Sequence, residues 1–175
     1  SLAATKRGDH KVVQQGLNFL MASMNDDGSW PIDTNLATWV TSLSINALAS
    51  DPADDREWCT DELVQWHLKC QHQVRHPFTG AEPGGWGWSD LSGAVPDSDD
   101  TPAAILALEK ISEHVDQARA GHCKTAVELG QTWLRKLQNR DGGWPTFCRG
   151  WGKLPFDPSS NDLTAHALRA LVVSF

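Results

Sequence analysis

The chain has 175 residues, a formal net charge of −7 and a pI of about 5.4, so it lacks the basic footprint that nucleic acid or an anionic lipid surface would require. No apolar run approaches the ~18 residues needed to span a bilayer, and the N-terminal stretch lacks the apolar core of a signal peptide, so a soluble protein is expected. Cys59, Cys70, Cys123 and Cys148 are scattered without a C-x-x-C pair, which suits reduced thiols and a cytoplasmic location better than a disulfide framework.

Taken in order, the elements repeat. Phe19-Leu20, Met24 and Gly28-Ser29-Trp30 are followed by an apolar segment, Leu36 to Leu48, whose Leu36, Val40, Leu43 and Leu48 recur at helical spacing. Trp66, Gln71 and Gly84-Gly85-Trp86 form a second copy, followed by the acidic run Asp97-Ser98-Asp99-Asp100 and the apolar segment Thr101 to Leu108. Trp133-Leu134, Gln138 and Gly142-Gly143-Trp144 form a third, leading to Leu163 to Val173. Thr41, Thr101 and Thr164 are read as one register position.

Copies spaced by roughly 55 to 63 residues suit a two-helix unit with a long loop. Strand signals are absent. The expectation is an all-α fold of three stacked helical hairpins, approximately 11–50, 57–113 and 121–175, in one partial domain. The Gly/Pro-rich stretches Arg75 to Asp97 and Pro145 to Asn161 are too long for plain turns and are candidate pocket walls. The chain begins without methionine and ends inside an amphipathic pattern, so a piece of a longer protein is expected.

Three carboxyls where a helix starts make simultaneous ionisation costly, so at least one is a candidate to hold its proton near neutral pH. If the second helices line one side, Asp97, Asp99, Asp100 and Asp162 become neighbours. Nine tryptophans against no tyrosine add large aromatic faces without hydroxyls, suited to an apolar, cationic or sugar-like ligand. Plainer readings exist: Asp97, Asp100 and Asp162 as helix caps, His166 as a core histidine, and Trp30, Trp86 and Trp144 as turn-packing residues. His67, Cys70, His72 and His76 match no zinc spacing, and no metal or other cofactor is expected.

The aromatic-x4-Gln and Gly-x-Trp repeat resembles the QW motif of the squalene–hopene cyclase and oxidosqualene cyclase superfamily. Pro96-Asp97-Ser98-Asp99-Asp100-Thr101 resembles its Asp-x-Asp-Asp-Thr segment, and Asp162-Leu163-Thr164-Ala165-His166 its Asp-x-Thr-Ala-His segment. The sequence departs from the pattern at Met24, in place of glutamine, and at Ile32, where tryptophan is usual.

The resemblance implies an α/α toroid, of which three hairpins would be about half of an α6/α6 barrel, and cyclisation of a linear polyprenoid begun by protonating an alkene. It implies Asp99 as proton donor, His166 as the residue bonded to it, and Asp97, Asp100 and Asp162 as supporting acids. Trp88 sits where the family has a cation-facing phenylalanine and Phe147 where it has a tyrosine; with Trp86 they are the expected substrate lining. The partners implied are a polyprenoid hydrocarbon and the remainder of a parent chain, which itself docks peripherally on the cytoplasmic membrane. A carbohydrate-active α/α barrel and a non-catalytic helical-repeat binding module are the competing expectations.

Overall fold

Residues 9–24, 26, 28, 35–51, 56–77, 79–147 and 157–174 are described by a computed structural model. Among them six helices occur in the expected order: α1 (Lys11–Ala22), α2 (Ala37–Leu48), α3 (Asp61–Lys69), α4 (Asp100–Ser112), α5 (Gln117–Leu137) and α6 (Asn161–Leu171). The described residues form no strand; β pairing is confined to an isolated antiparallel bridge between Trp144 and Ser160. The turn at Ser29-Trp30, the segment Ile32-Asp33-Thr34 and Cys148 lie outside the described residues.

The chain divides into two compact units, Ser1–Asn35 and Leu36–Phe175. The boundary falls inside the first expected repeat, between its two helices. In the first unit, His10 Nδ1 accepts the Val12 N–H to start α1, and the Ser23 hydroxyl donates to the Phe19 carbonyl at its end.

The second unit is organised around α4. Its apolar run buries Ala103, Ala104, Ile105, Ala107, Leu108 and Ile111, and the alanines let neighbouring helices approach closely. α4 packs on α2, α5 and α6, whereas α3 packs on α5. The second helices of successive repeats thus lie side by side, and α4's most extensive partner is α5, which opens the following repeat. Thr60 and Asp116 cap α3 and α5 by accepting the N–H groups of Leu63 and Arg119. Arg119 pairs with both Asp61 and Asp116, tying the two helix starts together.

The repeated glutamine and tryptophan have one physical role in both later copies. Gln71 donates to the Gly84 carbonyl at 2.8 Å and Gln138 to that of Gly142 at 2.7 Å. Gly84 and Gly142 both have positive φ, 115° and 92°, which glycine adopts without a Cβ penalty. The turn tryptophan then folds back on the preceding helix: Trp86 Nε1 donates to the His67 carbonyl and Trp144 Nε1 to that of Leu134. Its backbone N–H is taken by the next helix, from Trp86 to Thr101 Oγ1 at 2.9 Å and from Trp144 to Thr164 Oγ1 at 3.1 Å.

Spacing and burial place the register of α2 at Thr38. Thr38, Thr101 and Thr164 are equally spaced along the chain, and Thr38 is fully buried while Thr41 is only partly so. Thr38, rather than Thr41, is therefore the equivalent of the two later threonines. The corrected register sets Leu36, Asp99 and Asp162 at equivalent positions.

Candidate active site

The acidic run is built by one turn. Asp97 Oδ1 accepts the N–H groups of Asp99 at 2.9 Å and Asp100 at 2.7 Å, and the Asp97 carbonyl accepts that of Thr101. Asp97 therefore caps α4 with its side chain, and Pro102 in the first helical turn loses no needed hydrogen bond. Both Asp97 and Asp100 are buried, at 3% and 4% exposure. Burial, reinforced by Asp100, raises the Asp97 carboxyl well above the usual carboxylate range. Asp100 is pushed up to about 6, chiefly by burial and further by Asp99, with its hydrogen bond to Asp97 opposing. Burial favours the protonated form at both, more strongly at Asp97.

Asp99 points elsewhere. Its side chain is 47% exposed, and its Oδ1 lies 3.3 Å from His166 Nδ1 on α6. The spacing is that of an ion pair, although the ring N–H is not aligned well enough for a hydrogen bond. Asp99 raises the imidazole above its ordinary pKa, against partial burial and Arg169, which pull it down. Asp99 also lines a recess of about 250 Å³ together with Leu36, Trp39, Trp88 and Asp100.

Of the two expected aromatic residues Trp88 lines the Asp99 recess, whereas Phe147 lines a separate one of about 200 Å³ with Trp133, Lys136 and Leu137 and reaches the site through Trp88. Trp88 and Phe147 meet edge to face, their ring centroids 6.3 Å apart at 71°. The Trp39 N–H donates to the Trp88 carbonyl at 3.3 Å, holding the start of α2 against the loop that carries Trp88. The arrangement sets Asp99, with His166 beside it, and the rings of Trp39 and Trp88 around one small volume.

Two expected roles change. Trp86 is fully buried, with its ring against Gly130 of α5 and its Nε1 on the His67 carbonyl, so it belongs to the core and not to the lining. Asp162 is exposed and accepts the Ser160 hydroxyl, which is the main reason its carboxyl sits below the usual range. It lies in the first turn of α6, where a carboxylate suits the helix dipole; its attraction to His166 is a minor influence on it, and Asp99 is the main support of the imidazole.

Trp39 and Leu36 were not anticipated as lining residues. The available signal was the threonine register, because with Thr38 matched to Thr101, Leu36 takes the place of Asp99. Among the described residues no cluster of three or more His, Cys, Asp or Glu is placed to hold a metal ion.

Residues 35–174 match the squalene-hopene cyclase C-terminal domain. The chain is 32% identical to a probable squalene–hopene cyclase of Sinorhizobium fredii over 76% of its own length and 23% of that protein's. It is 30% identical to the sporulenol synthase of Bacillus subtilis over 76% of the chain and 22% of the relative. It is also 30% identical to a terpene cyclase–glycosyl transferase fusion protein of Humicola fuscoatra, over 91% of the chain and 14% of the relative. The chain spans from 13% to 26% of the length of the curated relatives it matches. Its all-α build fits the α/α toroid expected of this domain. With the helices, the turn tryptophans and the match over residues 35–174 agreeing, the chain belongs to the squalene-hopene cyclase C-terminal domain family.

Proposed function

We propose that this chain is part of a class II triterpene cyclase and carries the acid half of its active site. The observation that supports this most directly is Asp99 at 3.3 Å from His166, lining the recess that Trp39 and Trp88 also line. An alkene is a very weak base, so its proton donor must be stronger than an ordinary carboxylic acid. A neighbouring imidazolium supplies that strength by stabilising the carboxylate left behind.

Asp99 donates its proton to the terminal alkene of a squalene-like polyprenoid, whose π electrons form the new C–H bond and leave a carbocation. Ring closures pass the positive charge along the chain, and loss of a proton or capture of water ends the sequence. Trp88 and Trp39 present π faces that stabilise the cation without a nucleophile to trap it, and Phe147 braces Trp88 edge to face. Asp97 and Asp100 shape the turn that presents Asp99. The parent acts in the cytoplasm and docks on the membrane peripherally to collect its hydrocarbon, and residues 1–175 alone do not turn over.

The test is to run the intact parent protein with squalene in D2O. Cyclic product carrying one deuterium at the terminus where cyclisation begins is expected. Turnover without deuterium incorporation, or saturable oligosaccharide binding with no polyprenoid turnover, overturns the proposal in favour of other chemistry or a carbohydrate-active barrel.

A further inference from the structure

We infer that Ser98 is a positioning residue that ties the turn bearing Asp99 to the loop bearing Phe147, holding acid and aromatic wall in one frame. The inference rests on reading the site as a polyprenoid cyclase centre. Ser98 is fully buried between two of the acids. Its N–H donates to the Thr146 carbonyl at 2.8 Å, and its hydroxyl donates to the Pro145 carbonyl, with the Thr146 carbonyl also within 3.2 Å. Both acceptors belong to the two residues immediately before Phe147.

Ser98 is fixed from the other side as well. Asp97 binds the N–H groups of Asp99 and Asp100, and the Asp97 N–H donates to the Trp86 carbonyl, so the turn is anchored in the core. Phe147 in turn meets Trp88 edge to face. The path from Asp99 through Ser98 to Phe147 and Trp88 is therefore continuous. Packing alone would need only a small residue at this buried position; the hydroxyl adds a directed bond to the third repeat's loop. Without that bond Phe147, and through its edge-to-face contact the Trp88 ring, would lose part of its fixed position beside the recess, while the Asp97 side chain would still hold the turn that bears Asp99.

The test uses the intact parent protein with squalene. Ser98→Ala keeps the backbone bond and removes the hydroxyl, so kcat should fall about tenfold with KM nearly unchanged. The product mixture should shift toward incompletely cyclised alkenes, and the pH profile should stay in place. Wild-type kcat and product mixture in this variant overturn the inference. Should Ser98→Ala fail to fold, Ser98→Cys, close in volume and a weaker donor, must show the same product shift; an unchanged mixture overturns the inference.

Phe147→Leu supplies an independent check. If Ser98 acts through Phe147, adding Ser98→Ala to Phe147→Leu changes the mixture little further, whereas independent, multiplying effects overturn it. Asp99→Asn separates the two levels. Retained turnover in Asp99→Asn refutes the cyclase reading itself; abolished turnover there together with a silent Ser98→Ala refutes only the role of Ser98.

Discussion

Asp99 on the edge of α4 and His166 within α6 face each other with 3.3 Å between Oδ1 and Nδ1. The pair joins the second and third repeats, and Asp99 raises the pKa of the imidazole. Replacing His166 with Phe in the intact protein should lower kcat by roughly 10² to 10⁴ with little effect on helix content, measured by steady-state kinetics and circular dichroism.

The same pair fixes a pH dependence. Asp99 raises the His166 pKa, so the imidazolium is present below the ordinary value near 6.5 and is lost as pH rises through the raised one. Activity should therefore have a basic limb lying above pH 6.5, and His166→Phe should flatten it. A basic limb unchanged in that variant would assign it to another group.

Asp100 is expected to cost stability. Its carboxyl is pushed up to about 6 by burial, so between the unfolded value and 6 the folded state holds the proton more tightly. Stability from this group falls as pH rises through that window, by an amount on the order of 3 kcal/mol. Asp100→Asn should raise Tm at pH 8 by a few degrees while lowering activity, a trade read by parallel melting and turnover assays.

His67 gives the opposite sign. It is fully buried on α3 against Trp66, Trp86 and Ser42, whose hydroxyl donates to the Thr38 carbonyl and accepts from His67 Nε2 at 3.0 Å. Burial lowers its pKa to about 4, so it stays neutral in the fold. Below pH 6.5 the unfolded chain takes up a proton that the fold refuses, and stability should drop by about 3 kcal/mol toward pH 4. Urea titrations of wild type and His67→Leu across that range should show a much shallower acid limb in the variant.

The two repeat glutamines should differ. Gln71 is buried and donates to both the Gly84 and Ala126 carbonyls, whereas Gln138 serves Gly142 at a more exposed site. Gln71→Ala leaves two buried acceptors bare and should cost about 2–4 kcal/mol, with Gln138→Ala below about 1 kcal/mol. Chemical denaturation of the two variants measures the difference.

Helix number and order were legible because apolar spacing and Gly-x-Trp turns are local signals. The Asp99–His166 approach was legible too, since segments at equivalent repeat positions are carried to one place by parallel neighbouring helices. What escaped was set by side-chain direction. Trp86 and Trp88 differ by two residues, yet one fills the core against Gly130 and the other faces the recess. Asp162 matches Asp99 in register but lies at the exposed start of α6, where the Ser160 hydroxyl claims it. Trp39 was hidden by a three-residue shift in aligning α2, which the burial of Thr38 and its equal spacing from Thr101 and Thr164 expose.

The most direct measurement is turnover of squalene by the intact parent protein carrying Asp99→Asn, compared with wild type at equal helix content and Tm. Loss of cyclisation to the uncatalysed background is expected, because asparagine keeps the shape but has no carboxyl proton to donate. Retained turnover at a wild-type rate would contradict the assignment of Asp99 as the acid.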